Sequence, residues 1–187
     1  MKISIYPRIL ITYQIKTEKR TIEGKMEIII EKGNPSLPQE FLFLAEHCQL
    51  CFLTTSRSNL PDVHIMFFTY HKQDNVVILT TKKDKKYEDI VLNPNVSILL
   101  HSFEGRASIQ CSFQDQKPSS ATIYGIAYIP AKEKGEEYRQ CQVDAHPKWG
   151  DAFRGEEKAV IAISVEKLLI VDVRGKVIIW EKKGEKN

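Results

Sequence analysis

Apolar positions along the chain change their period several times, and each change predicts an element. From Pro38 the run PQEFLFLAEHC sets Phe41, Leu44 and Ala45 at helical spacing, with Ser36 upstream as a candidate cap, so a short amphipathic helix is expected. Three runs rich in β-branched and aromatic residues follow, LCFLTTS, DVHIMFFTYH and NVVILTT, separated by the turn residues of RSNLP and KQDN. They predict consecutive antiparallel strands. In KKYEDIVLN, Tyr87, Ile90 and Val91 return to helical spacing. That helix is expected to stop before Asn93-Pro94, because a residue preceding proline avoids the helical region. VSILLHSF reads as the next strand.

Residues 104–119 are polar and turn-rich and read as a surface excursion. SATIYGIAYIP reads as a strand in which Gly125 marks a bulge or a close approach of another backbone. AKEKGEEYRQCQVDAHPKWGDAF has the composition of a helix broken at His146-Pro147. The C-terminal pattern predicts strands over 159–165 and 168–173, a tight turn at Arg174-Gly175, and a last strand over 176–180. Six or more strands with a few short helices make the expected fold class mainly β, a small closed or partly closed barrel. Residues 1–25 alternate only loosely and read as an N-terminal arm before a single barrel domain over 26–187, with Met26 able to open a chain itself.

Composition narrows the function classes. A chain of 187 residues holds one real core. Its 42% hydrophobic and 27% charged content is that of an ordinary globular domain and argues against disordered or coiled-coil classes. Twenty-seven basic against 24 acidic residues leave a net charge of +3, too balanced for the dense basic face of a nucleic-acid binder, so no nucleic-acid partner is expected. No apolar run nears the roughly 20 residues of a membrane helix. The opening MKISIYPRILITYQIK is broken by Pro7 and Arg8, a poor signal peptide, so a cytoplasmic protein without a membrane partner is expected. Cys48, Cys51, Cys111 and Cys141 are too few and too irregular for a disulfide framework.

The stretch LTTKKDKKYEDI, residues 79–90, is the most suggestive chemistry. It puts Lys82, Lys83, Lys85 and Lys86 at a helix start, where the backbone dipole disfavours positive charge. The hydroxyls of Thr80 and Thr81, the ammonium groups of Lys85 and Lys86, and the free N–H groups of the helix start can converge on a phosphate. The other reading is a solvated charged turn. Cys48 and Cys51 have a spacing used for zinc or redox chemistry, with His47 and His64 nearby in sequence. No second pair accompanies them, and a helix-to-strand junction packs small thiols well, so structural cysteines are the simpler reading and no metal is expected. His64, His101 and His146 sit in no visible triad, and no catalytic residue is assigned. Phe67, Phe68, Tyr70, Tyr124, Tyr128, Trp149 and Trp180 serve either as core or interface residues or as cover for a flat cofactor ring.

Taken in order, FLAEHCQLCFLTT, NLPDVHIMFFTY, NVVILTTKKDKKYEDIVLNPNVSILLH and SSATIYGIAYI resemble the pyridoxamine 5'-phosphate oxidase-like proteins, the flavin-binding split barrels, and among these the fungal-type members. The resemblance covers about residues 38–130, continues more weakly to about 180, and is most specific from Leu79 to Leu100. It implies a split β-barrel of the FMN-binding type, with Lys86 and Thr81 on the FMN phosphate and Lys85 and Thr80 beside them. It further implies that His64, Ile65, Met66 and Phe67 line the isoalloxazine edge, largely through backbone groups. Two subunits usually build each site, so a homodimer is implied, with Trp149 and Tyr124 as contributors from the other chain. The implied activity is that of an FMN-dependent oxidoreductase moving hydride or electrons between a reduced nicotinamide and a small acceptor. The alternative is a non-catalytic dimeric module that binds flavin or another ligand. Two departures stand out. The true oxidases carry an Arg-x-His motif near the C-terminus, whereas no histidine follows His146, and they place an arginine where this chain has DVHIMFF. Vitamin B6 oxidation is therefore not expected.

Overall fold

The computed structural model describes residues 18–22, 26–33, 36–102, 118–172 and 174–183. In chain order the elements are β1 (Glu18–Ile22), β2 (Met26–Lys32), α1 (Gln39–His47), β3 (Leu50–Arg57), β4 (Leu60–His71), β5 (Val76–Lys82), α2 (Lys85–Leu92), β6 (Asn95–His101) and β7 (Pro118–Tyr128). They continue with α3 (Lys132–Ala145), a 3-10 helix (Pro147–Phe153), β8 (Lys158–Asp172) and β9 (Val177–Glu181). The strands follow the order β1-β2-β9-β8-β5-β4-β3-β6-β7, and β7 pairs back onto β8. Strands β3 to β8 therefore close into a six-stranded barrel. Beyond it, β9 pairs with β8, β2 joins β9 in parallel, and β1 completes an antiparallel hairpin with β2.

Local sequence explains the turns. Ser58 and Asn59 both adopt positive φ (51° and 64°), the two-residue hairpin geometry whose twist matches the flanking strands β3 and β4. Asn75, at φ 54°, ends the turn before β5. The helix α2 stops at Leu92, and Asn93 then ties two strands together, its Nδ2 donating to Ser56 O at 3.0 Å and its Oδ1 accepting from Asn95 N at 3.2 Å.

Alternation sets the core. β3 buries Cys51, Leu53 and Thr55, and β6 buries Val96, Ile98 and Leu100. Ala121, Ile123 and Ala127 of β7 join that core, as do Phe41 and Leu44 of α1, with Phe41 meeting Tyr70 edge-on at 5.2 Å. β5 and β8 are covered on both faces: Val77 and Leu79 belong to the barrel core, while Val76 and Ile78 pack with Val160, Ala162 and Tyr138 beneath α3. That double burial is why VVIL and AVIAI are continuous apolar runs rather than alternating ones.

Several expectations meet the structure here. Residues 159–165 and 168–172 lie in one continuous strand, β8, rather than in two. Its register with β7 slips between Tyr124↔Lys167 and Gly125↔Val165, so Glu166 is an extra residue in a bulge, held by Ser164 Oγ at 2.7 Å and Lys182 Nζ at 3.2 Å. Gly125 is both at that irregularity and under close approach, as its place in a strand suggests. Ser36 does not cap α1, which starts from Pro38 without a side-chain cap. Of the arm expected over 1–25, Glu18–Ile22 forms β1 and the remainder lies outside the described residues. The excursion expected over 104–119 also lies outside them, except that Pro118 and Ser119 open β7. Among the described residues, no helix is long and apolar enough to cross a membrane.

Candidate functional site

β4 runs for twelve residues, but it pairs with β5 only from Phe68 to His71. Over Leu60–Phe67 it keeps β3 on one side and has no strand partner on the other among the described residues. β5 continues away from it, with Thr80, Thr81 and Lys82 paired to β8, and leads into the lysine turn and α2. The barrel is thus parted at one end, and the backbone groups along that stretch of β4 need partners from outside the sheet.

Charges gather at the parting. Lys85 Nζ lies 3.2 Å from Asp62 Oδ2 and 3.1 Å from Asp89 Oδ2, and Arg57 Nη1 reaches Asp89 Oδ1 at 3.3 Å. Asp89 is buried, so these two cations satisfy a carboxylate that would otherwise be costly. His64 Nε2 lies 3.7 Å from Asp62 Oδ2 and has no hydrogen-bond partner. Lys86 is half-buried and pairs with no carboxylate among the described residues. Thr81 shares the inward face of β5 with Val77 and Leu79, and its hydroxyl, like that of Thr55, is buried without a hydrogen-bond partner. Thr80 faces α3 and donates to Gln142 Oε1 at 2.5 Å. No side chain caps the N-terminus of α2.

The Lys85 hydrogen bond, helped by the charges of His64 and Lys85, holds the Asp62 carboxyl below the usual carboxylate range. Hydrogen bonds to Asp89 and Asp62 in turn hold Lys85 above the usual lysine range. The stabilisation from Asp62 is therefore complete above pH about 4 and is lost as pH falls through its lowered folded value. For Lys85 it is present below pH about 10 and is lost as pH rises through the raised value. Carbon-detected NMR is expected to show Asp62 titrating below a free aspartate, and Lys85→Gln to move it back up. An Asp62 titration unaffected by that substitution would contradict the contact.

Known proteins bear on this arrangement. No family model matches the chain. A Schizosaccharomyces pombe protein named as a pyridoxamine 5'-phosphate oxidase homolog is 24% identical over 166 residues, covering 71% of this chain and 84% of its own. A FAD-binding protein from Mesorhizobium loti superposes with a TM-score of 0.54 at 16% identity, over 71% of this chain and 92% of its own. A heme binding protein from Mycobacterium smegmatis superposes with a TM-score of 0.63 at 16% identity, over 80% of this chain and 62% of its own. This chain has the fold of the pyridoxamine 5'-phosphate oxidase-like split barrels. The resemblance visible in its sequence motifs is borne out, and proteins of this fold include both flavin and haem binders.

Within the split barrel, the sequence-selected residues fall into three groups. Lys85, Lys86, Thr81 and His64 lie around the parting of β4 and β5, with Ile65, Met66 and Phe67 further along the same stretch of β4. Met66 is buried in the barrel core and Ile65 is 65% exposed on the outer face. Phe67 is covered by the 3-10 helix, its ring 5.6 Å from Trp149 and 5.2 Å from His146. Trp149 thus meets Phe67 of its own chain while remaining half exposed. Tyr124 stands apart on the outer face of β7, separated from β4 by β6 and β3.

The cysteines pack as thiols: Cys51 is fully buried, which pushes its pKa up to about 12, and Cys48 Sγ donates to His101 O at 3.6 Å. His146, also buried, fixes the 3-10 helix to β4 through a 2.8 Å contact between Nε2 and Phe68 O. His71, Asp74 and Glu137 converge in the split barrel too, but the Lys134 ammonium already sits between the two carboxylates at 2.7 and 2.8 Å. Sequence reasoning missed Asp62, Asp89 and Arg57. The Lys85–Asp89 spacing of four on a helix was a usable signal.

Proposed function

We propose that this split barrel binds FMN at the parting of β4 and β5 and works, as a homodimer, as an FMN-dependent oxidoreductase on a small molecule. The observation that carries the reading is the stretch of β4 that, among the described residues, lacks a second strand partner and lies beside a lysine turn whose Lys86 has no carboxylate among them. The residues present suit a phosphate: an unpaired ammonium, an uncapped helix start and the orphaned Thr81 hydroxyl. Lys86 and Lys85 would hold the phosphate with Thr81, while Thr80, bonded to Gln142, steadies the end of β5. The stretch His64–Phe67 would take the edge of the flavin ring, chiefly through backbone groups. Bound flavin supplies the hydride and electron transfer, and the chain supplies binding, orientation and exclusion of water.

A homodimer fits the exposed apolar residues Val63, Ile65, Leu99, Tyr124, Ile126 and Tyr128 on the outer barrel face. Pairing through that face would bring Tyr124, or the half-exposed Trp149, of one subunit toward the site of the other. A cytoplasmic location fits the free thiols of Cys51 and Cys141.

Lys86→Glu is expected to weaken FMN binding on the order of 100-fold, since a charge-assisted contact is lost and a repulsive one gained. Unchanged affinity, measured by flavin fluorescence quenching, would reject the phosphate assignment. A second reading, a haem-binding module, draws on the unpartnered His64 Nε2 and the haem-binding relative by fold. The visible spectrum of purified protein separates the two: a flavin spectrum is expected, and a Soret band would favour haem. A colourless protein indifferent to added FMN would favour a non-catalytic module.

A further inference from the structure

A second concentration of positive charge lies on the flank of α3. Lys132, Glu136, Arg139, Gln140 and Val143 recur at helical spacing and share one face, beside the face through which Tyr138 and Gln142 are buried against the barrel. That flank looks across at Arg154–Lys158, the link from the 3-10 helix into β8, and at Lys83 of the lysine turn. Between them is a cavity of about 600 Å³ lined by five cations, Lys83, Lys132, Arg139, Arg154 and Lys158, against two carboxylates, Glu136 and Glu156.

Three of the five cations have a carboxylate within 4.0 Å, Arg139, Arg154 and, through Glu157 at 4.0 Å, Lys158, while Lys83 and Lys132 have none among the described residues. Lys83 Nζ donates to the backbone carbonyl of Glu156 at 3.2 Å, and Lys158 Nζ donates to those of Asp151 and Ala152 at 3.3 and 2.8 Å. Arg139 is anchored by the carbonyl of Phe153 and pairs with Glu136 at 3.4 Å. Lys132 has no carboxylate partner among the described residues, and Arg154 reaches only Asp151, at 3.9 Å. Gly155 gives the wall its shape at φ +116°, where a side chain would be strained and would collide with the Glu157 carboxylate. An open depression of this volume is the size of a small-ligand site, whereas a nucleic-acid backbone needs a basic stripe.

We infer that this cavity binds a small molecule carrying two or more phosphates, at a site separate from the one around Lys85 and Lys86, which do not line it. The phosphates could belong to a free pyrophosphate-type anion or to a dinucleotide. The dinucleotide source would seat the reduced nicotinamide that flavin chemistry needs, and it alone rests on the function proposed above.

The test is calorimetric titration of the full chain with inorganic pyrophosphate and, separately, with reduced nicotinamide dinucleotide phosphate. The same titrations are run on Lys132→Gln/Arg154→Gln, with bound flavin read by absorbance. Both side chains are exposed, so the variant should fold, which its thermal midpoint checks. Pyrophosphate is expected to bind the wild type and to weaken on the order of tenfold for each cation removed. Tighter binding of the dinucleotide than of pyrophosphate identifies the dinucleotide source, and equal or weaker binding identifies the free anion. A colourless protein that still binds pyrophosphate supports the inference while refuting the flavin reading. Four results would overturn the inference: no heat with either ligand, binding indifferent to the double substitution, loss of flavin together with pyrophosphate, or displacement of pyrophosphate by short single-stranded RNA.

Discussion

Gly125→Val is expected to cost the fold roughly 3 kcal/mol or more, lowering the thermal midpoint by about 6–12 °C. A Cβ at position 125 would fall inside van der Waals contact with the backbone oxygen of Ser164 and 2.6 Å from Ile163 Cγ2. Ile163 is fully buried and cannot swing away, and the Ser164 oxygen belongs to the strand that closes the barrel. The strand preference of valine offsets at most about 1 kcal/mol, so the collision decides the sign. Adding Ile163→Ala removes one of the two obstructing groups and should rescue the midpoint only in part. A variant that melts within two or so degrees of wild type would mean that β7 and β8 can separate cheaply at this point.

For the homodimer proposed above, Ile65→Asp is expected to raise the dissociation constant by a factor on the order of 10² to 10⁴. Across the outer face, Ile65 is in register with Phe52, Leu99 and Thr122, and the neighbouring row runs from Val63 through Thr54 and Ser97 to Tyr124. A two-fold axis through such a face uses each residue twice. Burial of one isoleucine is worth about 1.5–3 kcal/mol, so one substitution removes about 3–6 kcal/mol per dimer, before the cost of dehydrating two carboxylates. Because Ile65 is exposed in the single chain, the monomer should keep its fold. Sedimentation velocity over a dilution series checks this. A wild type that is monomeric at high micromolar concentration would refute the proposed homodimer, and a variant that stays dimeric would move the interface elsewhere.

Much of the barrel was legible because its devices are local. The alternating strands β3, β6 and β7, the stop before Asn93-Pro94, the break at His146-Pro147 and the glycine in β7 each declare themselves within a few residues. What was hidden depends on pairing. The polar Glu166-Lys167 step looks like a break in the sequence, and only the register against Tyr124 and Gly125 turns it into a bulge within one strand. The same holds at the site. Lys85 and Asp89 are four apart on a helix, but Asp62 reaches Lys85 because β4 and β5 part beyond Phe68 and Leu79. The basic cavity is half legible: its face on α3 has helical spacing, while Lys83 and Arg154 arrive from segments far away in sequence.

The parallel pairing of β2 with β9 sets a timetable. Ile28 lies beside Val177 and Ile30 beside Ile179, so an early-synthesised strand waits for a partner made near the end of translation. Until then, the apolar MEIII segment has its own hairpin but no seat on the barrel. On the ribosome that segment is a ready client for chaperones, and nonsense mutations that remove only β9 would cut the β1–β2 hairpin loose from a barrel still closed by β7 and β8.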